Sequence, residues 1–251
     1  MIRRGPLTAL VKKELCSWFY SPLFYGTGAF FLVFLSLWLY NFQAFLVMDN
    51  ASFRPLFSAY PFAFILVVPV LTMKSWAEEK KTGTAELLFT MPYSEWELTL
   101  GKFLSSFFLL IIYCLATLII PLSLVPLGRF DIGVLFTEYT GVLLLGACSV
   151  SLGIFLSNLA KNQAAAFLST AIILLGLVFI ETIINRYAPV TGNAVSLRLL
   201  LNRLLYFLSL SYHFESFAKG LLDSRDIAFF ILAAVLFLFL NTRLLIFRKW
   251  S

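Results

Sequence analysis

Residues 74–102 read KSWAEEKKTGTAELLFTMPYSEWELTLGK, and what stands on either side of them decides the fold. Before them comes PLFSAYPFAFILVVPVLTM, residues 55–73, and after them FLSSFFLLIIYCLATLIIPLSLVPLG, residues 103–128. Neither flank carries a charge, whereas the insert holds nine charged residues, from Lys74 to Lys102. A helix crossing the bilayer core takes about 20 predominantly apolar residues. The flanks therefore read as transmembrane helices and the insert as the polar segment that joins them.

Working outward, the pattern recurs. Charge is also absent from residues 15–48, 139–160, 162–180 and 227–242, and Arg243 can extend the last run by snorkelling to the headgroups. The chain is 61% hydrophobic with 28 phenylalanines and only 13% charged residues, against roughly 25% in a soluble domain. One globular core cannot enclose that much apolar surface, so lipid is the solvent. The expectation is an all-α integral membrane protein, a single domain over residues 1–251. Its six spans fall at 22–48, 57–73, 103–127, 137–157, 164–184 and 227–246.

The first run starts late, is too long and lacks a small-residue cleavage site, so it does not read as a signal peptide. The net charge of +6 comes from cations gathered at span ends, which is a membrane pattern and not a nucleic-acid surface. Cys16, Cys114 and Cys148 have no metal spacing and read as apolar residues. His213 is the only histidine, which excludes paired-histidine metal and haem sites; it reads as an interfacial residue of the outer face. Gly101-Lys102 runs into Phe103 without the upstream glycine of a phosphate loop. No cofactor is expected on this chain.

With the N-terminus inside, twelve lysines and arginines fall on the inner side and seven on the outer, so the positive-inside rule puts both termini in the cytoplasm. Residues 7–20 set Leu7, Leu10, Val11, Trp18 and Phe19 on one stripe, away from Lys12, Lys13 and Glu14. That is a helix lying in the inner interface, with Trp18 and Tyr20 at headgroup depth. Ser21 then caps span one, with Pro22 in its first turn. Pro61 and Pro69 are expected to bend span two, and the glycines and serines of span four to let neighbouring helices approach closely. The outer loop 185–226 carries an amphipathic helix whose Arg198, Asn202 and Tyr206 face water or a partner while Leu200, Leu201, Leu204 and Leu208 pack inward. Glu138 and Glu181 fall near outer span ends. Two readings stay open for them: acids solvated at the interface, or a polar lining at an outer gate.

The insert divides itself. Gly83 breaks the helix leaving span two, and Thr84 can cap a short helix, TAELLFTM, with Glu86 in its first turn. Pro92 stops it, and Ser94-Glu-Trp-Glu97 fits a capping box that starts a helix running into span three. Leu87, Leu88 and Met91 give the short helix an apolar face. Two readings stand level here: a knob for a groove on a soluble partner, or a solvated hairpin packed on its own surface.

The run EEKKTGTAELLFTMPYSEWELTLGK resembles the E-x-K-x-x-G-T-x-E-x-L-x-x-x-P signature between spans two and three of ABC-2 type transporter permeases. It is most similar to the subgroup of gliding-motility-type and nitrous-oxide-reductase maturation permeases. LVKKEL…SP resembles that subgroup's interfacial helix and HFESFAKGLLDSRDIAFF its outer-loop motif. The resemblance implies that Glu79, Gly83, Thr84, Glu86 and Pro92 belong to a coupling helix docking on an ABC ATPase. It also implies two such ATPase subunits with ATP and magnesium bound to them, a second permease copy or related chain, and a bacterial inner membrane. Surrounding lipid and a periplasmic auxiliary protein complete the expected partners, nucleic acid excluded. The function that follows is that of a permease subunit of an exporter. A mechanotransmission subunit without cargo, acting on a periplasmic or second-permease partner, is the alternative, and a six-span channel without nucleotide a third reading.

The topology is testable by single-cysteine labelling in a cysteine-free background. Asn50→Cys and Thr191→Cys should react from outside intact cells, and Thr82→Cys only after permeabilisation. External labelling at Thr82→Cys would reverse the orientation.

Overall fold

Proline's missing N–H sets where the long helices break. The computed structural model describes residues 6–42, 53–84, 86, 94–124, 131–187 and 205–249, and all the regular elements among them are helical. α1 (Pro6–Phe19) leads into α2 (Pro22–Leu37), which closes in a π-helical turn at Trp38–Phe42. The second tract is α3 (Arg54–Phe57), α4 (Tyr60–Met73) and α5 (Ala77–Thr82), and the third is α6 (Glu95–Ala116) and α7 (Ile119–Leu124). α8 (Ile132–Leu159), α9 (Gln163–Tyr187), α10 (Leu210–Ala218) and α11 (Ser224–Lys249) complete the order.

Among the described residues six tracts are long and apolar enough to cross a membrane: Pro22–Tyr40, Arg54–Thr82, Glu95–Leu124, Ile132–Leu159, Gln163–Ile184 and Ser224–Phe247. The helices of spans four to six run past the expected limits and that of span three starts before its own, while the ends of spans one and three lie outside the described residues. Pro121 would have bonded the carbonyl of Thr117; Ile120 N takes that carbonyl instead at 3.0 Å, and α6 gives way to α7 there. Likewise the second tract breaks at Ser58-Ala59, before Pro61. Pro69 does not end its helix, since α4 continues through it to Met73.

α8 is the centre of the bundle, packing against α4, α6, α9, α10 and α11. In the Arg54–Thr82 and Ile132–Leu159 tracts 72% of the apolar window is buried, against 22% in Pro22–Tyr40 and Gln163–Ile184, so these two are the inner pair. The small residues of α8 explain its place. A Cβ at Gly153 would stand 2.4 Å from Thr72 Oγ1 of α4, and one at Gly141 would stand 2.4 Å from Phe217 Cβ of α10. α1 lies along α6 in the same way, with Leu10 seated over Gly101. Trp18 of α1 is buried beneath the ammonium of Lys74, while Tyr20 is exposed. Ser21 holds the extended cap conformation before Pro22, but its hydroxyl makes no capping bond and accepts from Lys74 Nζ at 3.4 Å.

At the other end most of the expected amphipathic helix, including Arg198 and Asn202, lies outside the described residues. Its end is helical at 205–208; Tyr206 is half-buried, and Leu208 is 50% exposed where it was expected to pack inward. A second helix there, α10, escaped the sequence reading. His213 sits on it, buried and not interfacial: its Nδ1 lies 2.7 Å from Asp226 Oδ1, and its ring stacks on Phe229 at 3.9 Å between centroids.

The close approaches to α8 can be weighed against open glycines. Gly141→Ala and Gly153→Ala should each cost about 1–3 kcal/mol by overpacking, whereas Gly176→Ala, with nothing within 4 Å of its Cβ position, should do no harm. Thermal unfolding in detergent measures the three; equal losses at Gly153 and Gly176 would contradict the packing.

Candidate coupling site

α5 begins where the backbone leaves α4 at Lys74-Ser75-Trp76, and its first amides need acceptors. They find one across the bundle: Ser157 Oγ, on α8, accepts from Trp76 N at 3.1 Å and Ala77 N at 3.2 Å. The same hydroxyl donates to Met73 O at 3.3 Å. Lys80 Nζ donates to the carbonyl of Asn158, and Asn158 Nδ2 donates to Asn241 Oδ1 of α11 at 2.8 Å. Asn241 Nδ2 and Thr242 Oγ1 each donate to Thr99 Oγ1 of α6, both at 3.2 Å. One buried polar chain thus ties α5, α8, α11 and α6 together.

Beside it lies a charge cluster centred on Lys102, whose residue is only 1% exposed. Its ammonium stands 2.8 Å from Glu79 Oε2 on α5 and 3.3 Å from Glu14 Oε1 on α1, and donates to Ser75 O at 2.5 Å. The Trp76 ring centroid is 4.6 Å away. Lys13 of α1 adds a longer contact to Glu79 at 3.9 Å. A buried ammonium needs such surroundings, because desolvation would otherwise exclude it.

Gly83 then ends α5 with φ 73°, a left-handed conformation that few other residues adopt without strain. Thr84 Oγ1 lies 2.9 Å from Thr82 Oγ1 and donates to Glu79 O at 3.4 Å. The hydroxyl thus turns back across the break, and most of the short helix it was expected to cap lies outside the described residues. Thr84 and Glu86 are exposed. Leu87, Leu88, Met91 and Pro92 lie outside the described residues. The capping box forms as read: Ser94 Oγ accepts from Glu97 N at 3.2 Å, and Glu97 Oε2 accepts from Ser94 N at 2.9 Å.

So the structure places Glu79 inside the bundle, Gly83 at a break and Thr84 and Glu86 on the surface beyond it. Lys102, Glu14, Ser157, Asn158, Asn241, Thr242 and Thr99 escaped the sequence reading. Asn158 and Asn241-Thr242 stand at the ends of charge-free runs, which is the one signal that pointed to them. Glu138 and Glu181 belong to the far end of the bundle; along α8, Glu138 lies roughly 29 Å from Ser157 at the usual helical rise. Glu138 is 1% exposed, which removes the interfacial-solvation reading for it, while Glu181 is half-buried and keeps that reading.

Six membrane-crossing tracts with a polar, ion-paired joint at one end define a multi-pass helical membrane protein. The chain belongs to the ABC-2 family transporter proteins, whose family model matches residues 39–243. It is the membrane component of such a transporter, a transport subunit and not an enzyme, in a family that works with an ABC ATPase. No curated protein matches the chain.

The Lys102 cluster has a measurable signature. Lys102→Ala leaves two acids without their cation and should cost about 3 kcal/mol, part of which a second change, Glu79→Gln, should restore. Denaturant unfolding in micelles measures the cycle. Strict additivity of the two changes would show that the ion pair carries no coupling.

Proposed function

We propose that the chain is the permease subunit of an ABC-2 exporter in a bacterial inner membrane, with both termini cytoplasmic. A separate ATPase, present in two copies, docks on the segment at 84–91, holding ATP and magnesium itself. A second copy of the permease or a related chain completes the membrane part, and the subgroup is that of the gliding-motility-type permeases. One observation carries this reading. The chain just before Gly83 is fixed to α1, α6, α8 and α11 by the Lys102 cluster and the Ser157–Asn158–Asn241 polar chain.

A solvated hairpin needs no such anchorage. A segment that receives a push does, because force applied beyond Gly83 reaches the transmembrane helices only through fixed contacts. The left-handed break lets the segment beyond it leave the line of α5, and the capping box of α6 gives it a firm return point. Two packings of the bundle, biased by the ATPase's closed and open states, then constitute the transport cycle.

Leu88→Asp tests the docking. It places a carboxylate on the apolar face that a hydrophobic groove receives, and a loss of roughly 3 kcal/mol there weakens assembly about a hundredfold. Gly83→Pro should leave binding and uncouple the ATPase's response, since proline cannot take the left-handed conformation. Glu97→Gln preserves the capping box and should change little. ATPase pull-down and hydrolysis in nanodiscs provide both measurements. Wild-type binding and stimulation by Leu88→Asp would remove the docking role.

A further inference from the structure

Glu138 presents a buried acid that the coupling site does not use. Neither Oε1 nor Oε2 has a hydrogen-bond partner among the described residues, and the residue is 1% exposed. What covers it is visible on its own helix face. Val134, Glu138 and Gly141 share one stripe of α8 at helical spacing. Val134 meets the Cβ position of Gly220 at 3.1 Å, and Gly141 receives Phe217. Glu138 therefore lies beneath α10 and the turn that follows it, between two points where they touch α8.

α10 is a short helix bounded at both ends. Ser209 caps its start by accepting from Tyr212 N at 3.3 Å, and Gly220, at φ 75°, provides a left-handed bend just past its end. Polar contacts hold it down at several points. Ser211 Oγ donates to Val178 O of α9 at 3.0 Å, His213 pairs with Asp226 of α11, and Glu215 reaches Arg54 of α3 at 3.5 Å. Apolar contacts seat it as well: Leu210, Phe214, Phe217 and Ala218 all belong to the buried core, so lifting α10 exposes their surface to water or lipid.

We infer that Glu138 is a proton-binding site closed by α10, and that lifting α10 releases the proton. A buried carboxylate with no partner is strongly disfavoured, and a neutral carboxyl far less so. Closed, the site holds its proton; opened to water, the acid ionises. By linkage, alkaline pH favours the lifted helix and acid pH the closed one. The charged and titratable groups at this end of the surrounding elements are Arg54 on α3, Tyr60 on α4, Glu181 on α9, Tyr212, His213 and Glu215 on α10 with Lys219 just past its end, Arg225 and Asp226 on α11, and Tyr139 on α8 with Asp131 capping its start. Arg54 stands on α3, which packs against α8. The inference depends on the topology proposed above only for the side from which the proton exchanges.

The probe is Thr137→Cys, a buried neighbour on the same face, in a Cys16→Ser background and labelled by a charged maleimide in nanodiscs. Between about pH 6 and about pH 8, the labelling rate should rise more steeply with Glu138 present than in Glu138→Gln, by up to about tenfold per pH unit. The thiol's own titration is common to both and cancels. Glu215→Gln, which removes the contact between α10 and Arg54, should move the rise to lower pH, because a more weakly held α10 lifts at a smaller degree of ionisation; this also serves if Glu138→Gln fails to fold. Equal pH profiles, an unmoved midpoint in Glu215→Gln, or no labelling at any pH would overturn the site. Nanodiscs expose both faces, so these results do not depend on orientation. In sealed vesicles, a response to pH on the side of the termini would overturn the topology and leave the proton site standing.

Discussion

The ammonium of Lys102 is the constraint around which one end of the molecule is arranged. At 1% exposure it has no recourse to water, so two carboxylates, a carbonyl and an indole face must be brought to it. Those groups come from α1, α5 and the turn before α5, and the lysine comes from α6. The interfacial helix and the segment after α4 are thereby obliged to meet at span three. Neither could shift alone without stranding a buried charge.

α8 carries that obligation along the bundle. One end of it accepts the first amides of α5 through Ser157, and the other end supports α10 through Gly141. Glycines between these points let α4 and α6 approach at backbone distance, so side chains of neighbouring helices rest directly against it. A displacement at one end therefore meets tightly packed atoms along the helix and not compressible space.

The spans were legible because lipid forbids charge, and a charge-free run is visible without any partner. The Ser94–Glu97 box was legible because both partners lie within one turn. The prolines were legible only in part: a break does precede Pro61, whereas α4 continues through Pro69 to Met73, and the break at Thr117 before Pro121 was not read. The partners of Lys102, Asn158 and His213 were not legible. Glu14 and Lys102 are 88 residues apart, Asn158 and Asn241 83, and helical periodicity says nothing about which faces meet. His213 was misread for the same reason, since Asp226 and Phe229 belong to another helix.

The Asn158–Asn241 amide pair restricts how this sequence can drift. Replacing either asparagine by leucine leaves a buried amide facing hydrocarbon, whereas replacing both by apolar residues of similar shape is close to neutral. The two positions are therefore separated from their apolar alternative by a less stable single change, a valley that a lineage crosses only with stability to spare. Lys80 is exempt from that restriction, because it donates to the backbone carbonyl of Asn158, which any residue at that position supplies. Among homologues, the two asparagines should change together or not at all, while Lys80 varies independently of both.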